Sequence, residues 1–263
     1  MADGARDDRL ITRREALGAL GALGALGVLV VAGCSSGSSS SAADKPRGTR
    51  PATTTSSTTD GAPASTTSCT LAPEVTQGPF YLTDHPNTAD LVQDRPGVPL
   101  ALTLTVVDTK CAAVANAKVD VWHCDAGGVY GGVGNGPGGG GPGGGGDFGA
   151  ATRATPATWL QGYQVAGADG TVRFSTIYPG WYPGRAVHIH MKVFAGGNAV
   201  HTGQLFFPDA LSASLFRHSP YRGDPDTVNN ADGIYRSAGS AALLAPAASS
   251  SGYAASAQLV VRA

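Results

Sequence analysis

Short stretches in which apolar and polar residues alternate, separated by turn signals, restrict the fold of this chain more than any other feature. Such a period of two is typical of half-buried strands. It occurs at residues 100–107, 118–123, 171–177, 187–194 and 257–261. No helical period extends beyond short pieces such as 208–217, so the sequence lacks the crossover helices that a parallel sheet requires. The sequence therefore predicts an all-β fold, with an antiparallel sandwich or barrel-like core, long loops and few short helices.

The first 33 residues have the pattern of a bacterial export signal. The apolar run 17–31 is too short for a membrane span but suits a signal-peptide core, and Arg13 and Arg14 precede it as in a twin-arginine signal. Val31-Ala32-Gly33-Cys34 is similar to a lipobox, in which Cys34 is lipidated and becomes the first mature residue. We therefore expect residues 1–33 to be a lipoprotein signal and the exported protein to be attached to the cell membrane through Cys34. A cleaved signal with a chance cysteine and an uncleaved anchor helix are the alternatives.

Composition divides the rest of the chain into two parts. Residues 34–68 are almost wholly Ser, Thr, Ala, Gly, Pro and Asp, without an aromatic residue. Such a segment cannot bury enough apolar surface to offset the entropy lost on ordering, so we expect a flexible tether. Residues 69–263 are expected to form one domain.

The charge of the chain argues against nucleic acid as a partner. Lys and Arg number 18 against 19 Asp and Glu, for a formal net charge of −1. A nucleic-acid-binding protein normally presents a basic face, which this balance does not favour.

Export also bears on the cysteines. If Cys34 is lipidated, Cys69, Cys111 and Cys124 remain in an oxidising compartment. Cys124 lies in an apolar, strand-like stretch typical of a buried thiol. We therefore expect a disulfide between Cys69 and Cys111.

Residues 127–149 are mostly glycine and interrupt the strand pattern. A flexible surface insertion is the favoured interpretation, and a mobile flap next to Tyr130 is the alternative. A phosphate-binding loop is not expected, because no Lys-Ser or Lys-Thr pair and no strand-to-helix context follow.

Two histidines carry the clearest chemical signal. In Val187-His188-Ile189-His190-Met191 the period of two places both imidazoles on one face of a strand, where they can converge on one metal ion. Ordinary strand histidines are the alternative. The absence of a nearby cysteine pair disfavours structural zinc, whereas several tyrosines lie near in the sequence and phenolate oxygen selects a hard ion such as Fe(III).

Several segments together resemble the intradiol ring-cleavage dioxygenases, a family that includes catechol, protocatechuate and hydroxyquinol dioxygenases. The resemblance extends from about residue 69 to about residue 235. The segments that carry it are Gly78-Pro79-Phe80-Tyr81, 119–126 (VDVWHCDA), Pro179-Gly180-Trp181-Tyr182-Pro183 and 185–190 (RAVHIH).

The resemblance implies one non-haem Fe(III) per chain, held by Tyr130, Tyr182, His188 and His190. Tyr182 is preferred to Tyr178 because it occupies the Pro-Gly-x-Tyr-Pro element. Arg185 matches the active-site arginine of the family.

The resemblance also implies the remaining roles. Gln204 corresponds to the active-site glutamine, with a strand residue as the alternative. Pro79, Tyr81 and Trp181 are expected to contribute to the substrate pocket. Tyr182 is expected to leave the metal and accept a proton when the substrate binds.

The expected reaction is the cleavage of a small aromatic diol by O2, between its two hydroxylated carbons, to a muconate-type diacid. A surface lipoprotein that binds aromatic or ferric-catecholate ligands without turnover is the alternative. A zinc hydrolase is disfavoured, because no Glu lies beside His188 or His190 as a general base.

Overall fold

The computed structural model describes residues 69–133 and 151–263. Its strands are β1 Pro99–Asp108, β2 Lys118–Trp122, β3 Gln161–Val165, β4 Thr171–Ile177, β5 His188–Ala195, β6 Asn198–Phe206, β7 Ala247–Ala248 and β8 Tyr253–Val261. Two short helices, α1 Asp209–Leu215 and α2 Gly233–Ala238, and two 3₁₀ turns, Asn229–Ala231 and Ser240–Ala242, lie between β6 and β7. The expected signal 1–33, the tether 34–68 and residues 134–149 of the glycine segment lie outside the described residues.

The strands form two four-stranded sheets, which confirms the all-β prediction. The first sheet has the order β4-β1-β8-β7 and the second has the order β3-β2-β5-β6. Their pairs are antiparallel except β1 and β8, which run parallel with Leu102 opposite Ala255. That exception departs from the expected antiparallel core. The two strands lie far apart in the sequence, so no tight hairpin constrains them to run antiparallel.

Alternation along each strand fills the space between the sheets with apolar side chains. The main hydrophobic core includes Leu102 and Leu104 of β1, Val119 and Val121 of β2, and Ile189 of β5. Because neighbouring residues of a strand face opposite sides, the residues that alternate with the core positions of β2 and β5 lie on the outer face of the second sheet. That outer face carries the candidate site.

The segment that follows Cys69 crosses from one sheet to the other. Its backbone N–H groups donate to both sheets, from Ala72 to Val260 and from Val75 to Thr202, with N–O distances of 3.0 and 3.1 Å. These bonds bring residues 78–82 over the outer face of the second sheet.

A backbone hydrogen bond links the described residues that precede and follow residues 134–150. The backbone N–H of Ala154 donates to Gly132 O over 2.7 Å, and Arg153 forms a two-bond ion pair with Asp84. The flap interpretation of the glycine segment concerns residues outside the described part and stays a prediction.

Among the residues described, no helix has both the length and the apolar character needed to cross a membrane.

The cysteine assignment is confirmed. Cys69 and Cys111 form a disulfide, and Cys124 is a buried free thiol whose pKa burial raises to about 12. The bond closes a loop with a sequence separation of 42 residues.

Replacing Cys69 and Cys111 together with serine is expected to lower the free energy of unfolding by about 4 kcal/mol, because the unfolded chain regains the entropy of that loop. Urea denaturation of the oxidised protein and of the double variant measures the difference. The reduced wild-type protein is the control and should match the variant. Equal stability of oxidised and reduced protein would contradict the expectation.

Candidate metal centre

His188 and His190 begin β5 and lie together on the outer face of the second sheet. Both rings are buried, and their Nε2 atoms are 3.0 Å apart. His190 pairs across the sheet with Trp122 of β2 on one side and with Gln204 of β6 on the other. The indole ring of Trp122 stacks on the His190 ring, with centroids 5.0 Å apart and planes 9° apart. Neighbouring strands therefore fix the position of this imidazole.

Two tyrosines from separate loops reach the same point. Tyr130 follows β2, and its Oη lies 3.1 Å from His190 Nε2 and 3.5 Å from His188 Nε2. Tyr182 precedes β5, and its Oη lies 3.1 Å from His188 Nε2. The structure thus brings together the four residues expected as metal ligands, which we call the four-donor cluster.

Tyr178, the tyrosine that the sequence analysis set aside, lies elsewhere. Its ring is fully buried against Phe207 in the main core, and its hydroxyl is 2.8 Å from the Ser212 hydroxyl. The choice of Tyr182 over Tyr178 therefore agrees with the geometry.

Burial determines the charge of the four donors. It lowers the pKa of His188 and of His190 well below the usual value, with the positive charge of Arg185 as the next cause. Burial also raises the pKa of Tyr130 and brings that of Tyr182 to about 12, although Arg185 opposes the rise at Tyr182. The cluster thus presents neutral imidazoles, and its phenols need a nearby positive charge to ionise.

The tautomer of His188 suits a metal ligand. Its Nδ1 lies 2.6 Å from the carbonyl oxygen of Ala186. A carbonyl oxygen can only accept, so Nδ1 carries the proton and Nε2 keeps its lone pair for the cluster. Imidazoles that bind metals are commonly oriented by such a bond.

The donor set fits a hard cation. Donor atoms about 2 Å from one ion lie about 3 Å from one another, which the separations of 3.0 to 3.5 Å match. Within residues 69–133 and 151–263, no group of three or more His, Cys, Asp or Glu is placed to hold a metal ion. A site here therefore needs the tyrosines, and phenolate with imidazole is a donor set suited to ferric iron.

Arg185 lies at the edge of the cluster in a buried polar network. Its Nη1 is 3.3 Å from Tyr182 Oη and 3.5 Å from His188 Nε2, and its Nη2 donates to Gln204 Oε1 over 2.6 Å. Gln204 Nε2 donates to the carbonyl oxygen of Thr76. Of the three residues expected in catalysis, Arg185 thus contacts both Gln204 and Tyr182.

Asp232 is the member of this network that the sequence analysis missed. It is 2% exposed, and its Oδ2 accepts from Arg185 Nε and from Ala186 N, each over 2.9 Å. Its Oδ1 accepts from Ile234 N and Tyr235 N and so caps α2. An aspartate before a short helix is a common capping signal, but nothing in the sequence links it to Arg185.

Gly78 and Phe80 are two further residues without an expected role. The Phe80 ring stacks on Tyr130, with centroids 4.3 Å apart, and meets Tyr182 edge-on. Gly78 has φ +70°, and a Cβ there would lie 3.1 Å from Cε1 of His190. Both belong to the Gly-Pro-Phe-Tyr segment, which therefore packs directly against the donors.

A cavity of about 370 Å³ adjoins the cluster at Arg185 and is lined also by Val75, Thr76, Asp232, Ile234 and Ser237. We call it the Arg185 cavity. The expected pocket residues Pro79, Tyr81 and Trp181 are not in its lining.

Other contacts hold those expected pocket residues. The Tyr81 hydroxyl donates to buried Asp120, and its ring packs on Trp122. Trp181 donates to Gly223 O and lies under Arg222. Pro79 is half-buried between Gly78 and Phe80.

Comparison with known proteins identifies relatives of this chain. No model of a known protein family matches the sequence. A chlorocatechol 1,2-dioxygenase of Rhodococcus opacus is 27% identical over 157 residues, which are 50% of this chain and 54% of the relative. The chain thus spans about half the length of the curated relative that it matches.

Two solved structures are also similar. The structure of an intradiol ring-cleavage dioxygenase from Tetranychus urticae is 32% identical, with a TM-score of 0.65, covering 74% of this chain and 95% of that one. The dioxygenase domain of a dioxygenase carbohydrate-binding protein fusion from Streptomyces sp. SirexAA-E is 28% identical, with a TM-score of 0.54, covering 73% of this chain and 99% of that one.

Replacing Gly78 with alanine is expected to lower the free energy of unfolding by about 2–3 kcal/mol, because the added Cβ is strained at positive φ and crowds His190. Gly196→Ala is the matched control: Gly196 also has positive φ, +56°, but nothing lies within 4 Å of its Cβ position. The control should lose about 1 kcal/mol. Urea denaturation measures both, and equal losses would show that the contact with His190 is unimportant.

Replacing Asp232 with alanine is expected to cost about 3–5 kcal/mol of stability, because the buried guanidinium of Arg185 loses its counter-charge. Asp226→Ala is the control, since this exposed carboxylate accepts only from the Gly184 N–H and the Thr227 hydroxyl in the described structure. The control should cost less than about 1 kcal/mol. Denaturant unfolding compares them, and a small loss at Asp232 would refute its role as the partner of Arg185.

Proposed function

Because the chain belongs to the intradiol ring-cleavage dioxygenase family, we propose that it cleaves a catechol-type ring with O2 between the two hydroxylated carbons. The product is a muconate-type diacid, and the cofactor is one non-haem Fe(III) per chain. The observation that carries this proposal is the four-donor cluster with Arg185 at its edge.

Tyr130, Tyr182, His188 and His190 would hold the iron. When bound, ferric iron supplies a positive charge that favours phenolate and catecholate oxygens and draws electron density from the diol ring. The neutral state of both buried histidines suits this role, because an imidazolium cannot bind a cation.

The two tyrosines have different surroundings, which suit different roles. Tyr130 is 7% exposed, with its ring stacked on Phe80. Tyr182 is half-buried, and Arg185 Nη1 donates to its hydroxyl oxygen. Tyr182 would therefore be the donor that the substrate displaces and that accepts a proton from the diol, while Tyr130 would stay in place.

Arg185 and Gln204 form a fixed polar wall beside the reacting ring. The bonds from Arg185 to Asp232 and Gln204 fix the guanidinium, so its Nη1 needs no rearrangement to meet negative charge that develops on the substrate. Gln204 is fixed in turn by its bond to Thr76 O.

The proposed location is outside the cytoplasm, with a lipid anchor at Cys34. The disulfide between Cys69 and Cys111 supports export, since such bonds persist in oxidising compartments. The anchor itself is supported by the lipobox-like sequence that ends at Cys34.

The visible absorption spectrum of the iron-loaded protein tests the proposal. Tyrosinate bound to Fe(III) should give a broad charge-transfer band, and catechol added without oxygen should shift it. Admission of ¹⁸O₂ should then yield a diacid that contains both oxygen atoms. A coloured protein that binds catechol without forming the diacid would favour the binding-module alternative.

Two tyrosine variants test which tyrosine binds the iron. Tyr130→Phe should lose the iron or the band, because a donor of the cluster is gone. Tyr178→Phe, a buried tyrosine outside the cluster, should keep both. Retention of both the iron and the band by the Tyr130 variant, or a colourless zinc protein, would refute the assignment.

A further inference from the structure

The Arg185 cavity extends the candidate site away from the four donors. Arg185 borders both, because it lines the cavity while its Nη1 lies 3.3 Å from Tyr182 Oη. None of the four donors is among the described lining residues, so a ring with its two oxygens at the donors would reach the cavity through a substituent that extends past Arg185. Residues 75 and 76 form one wall, and α2 forms the other with Ile234 and Ser237.

The size of the cavity exceeds the need of an unsubstituted ring. A cavity of roughly 150 Å³ holds benzene. The Arg185 cavity, at about 370 Å³, therefore has ample room for a ring substituent.

The lining offers no free positive charge to such a substituent. Among the described lining residues, Arg185 is the one cationic side chain, and its guanidinium is bonded to Asp232 and Gln204. Asp232 itself lines the cavity, and the carboxylate of Asp226 accepts from Gly184 N at the same wall. The remaining side chains are apolar, as in Val75 and Ile234, or hydroxyl-bearing, as in Thr76 and Ser237. A carboxylate on the substrate would lose hydration here and gain no counter-charge.

From this size and charge we infer that the cavity binds the substituent of an aryl diol, and that this substituent is uncharged rather than anionic. The inference rests on the proposed function, whose substrate class it narrows.

A pair of ligands with matched shape tests the charge preference. The amide 3,4-dihydroxybenzamide and the acid 3,4-dihydroxybenzoate differ mainly in the charge of the substituent, and catechol is the reference. Calorimetric titration of the iron-loaded, full-length protein without oxygen gives the three dissociation constants. The amide should bind about tenfold more tightly than the acid.

The outcomes separate the two proposals. If catechol binds and the acid binds as tightly as the amide or more tightly, the inference is wrong and the proposed function stands. If catechol itself does not bind, both are overturned.

A charge introduced into the wall gives a second test. Ser237→Arg adds an unpaired cation to the lining of the cavity and should shift the acid-to-amide affinity ratio by about fivefold toward the acid. Ser240→Arg is the matched control, because Ser240 is also exposed but lies outside the lining, and it should leave the ratio unchanged. An unchanged ratio in both variants, or the same shift in both, would show that the substituent does not reach this wall.

Discussion

The antiparallel register of β2, β5 and β6 aligns Trp122, His190 and Gln204 in one row across the outer face of the second sheet. A shift of this register by one residue would turn His190 into the core and bring Met191 outward, because side chains alternate along a strand. The core residues between the sheets oppose that shift, since Ile189 and Met191 fill space there. The packing that stabilises the sandwich thus also places the His190 imidazole between the stacked indole of Trp122 and the amide of Gln204.

The buried ion pair of Arg185 and Asp232 connects this row to the rest of the site. The carboxylate of Asp232 accepts hydrogen bonds from the Arg185 guanidinium, from the backbone N–H of Ala186 and from a backbone N–H in the first turn of α2. One side chain therefore orients the arginine at the donors and also fixes the helix that lines the Arg185 cavity. A change that moves α2 would move the cavity wall and weaken the position of Arg185 together.

Sequence periodicity predicted β1, β2, β4, β5 and β8, as well as the two histidines on one face, because these features depend on neighbouring residues alone. Strand β3 (QGYQV) was not predicted, since Gly162 breaks its pattern; a Cβ at this position would lie 2.6 Å from the side chain of Leu91, which is distant in the sequence. The role of Asp232 was not predicted either, because its partner Arg185 lies 47 residues earlier in the sequence. The tyrosines came from a family resemblance, since they lie on loops whose geometry no local pattern determines. The roles of Tyr81 and Trp181 in the substrate pocket stay a prediction; in the structure their side chains donate to Asp120 and to Gly223 O.

A site on the outside of a sheet needs a separate cover, and the segment from Cys69 to Tyr81 provides it. The disulfide and the bonds to Val260 and Thr202 hold its first part against both sheets. Its second part then places Gly78 against His190 and Phe80 against Tyr130, which covers these two donors. Between these two parts, Val75 and Thr76 line the Arg185 cavity. Because those two side chains touch the cavity while Gly78 and Phe80 touch the donors, a substitution at residue 75 would alter the cavity wall without touching the four-donor cluster.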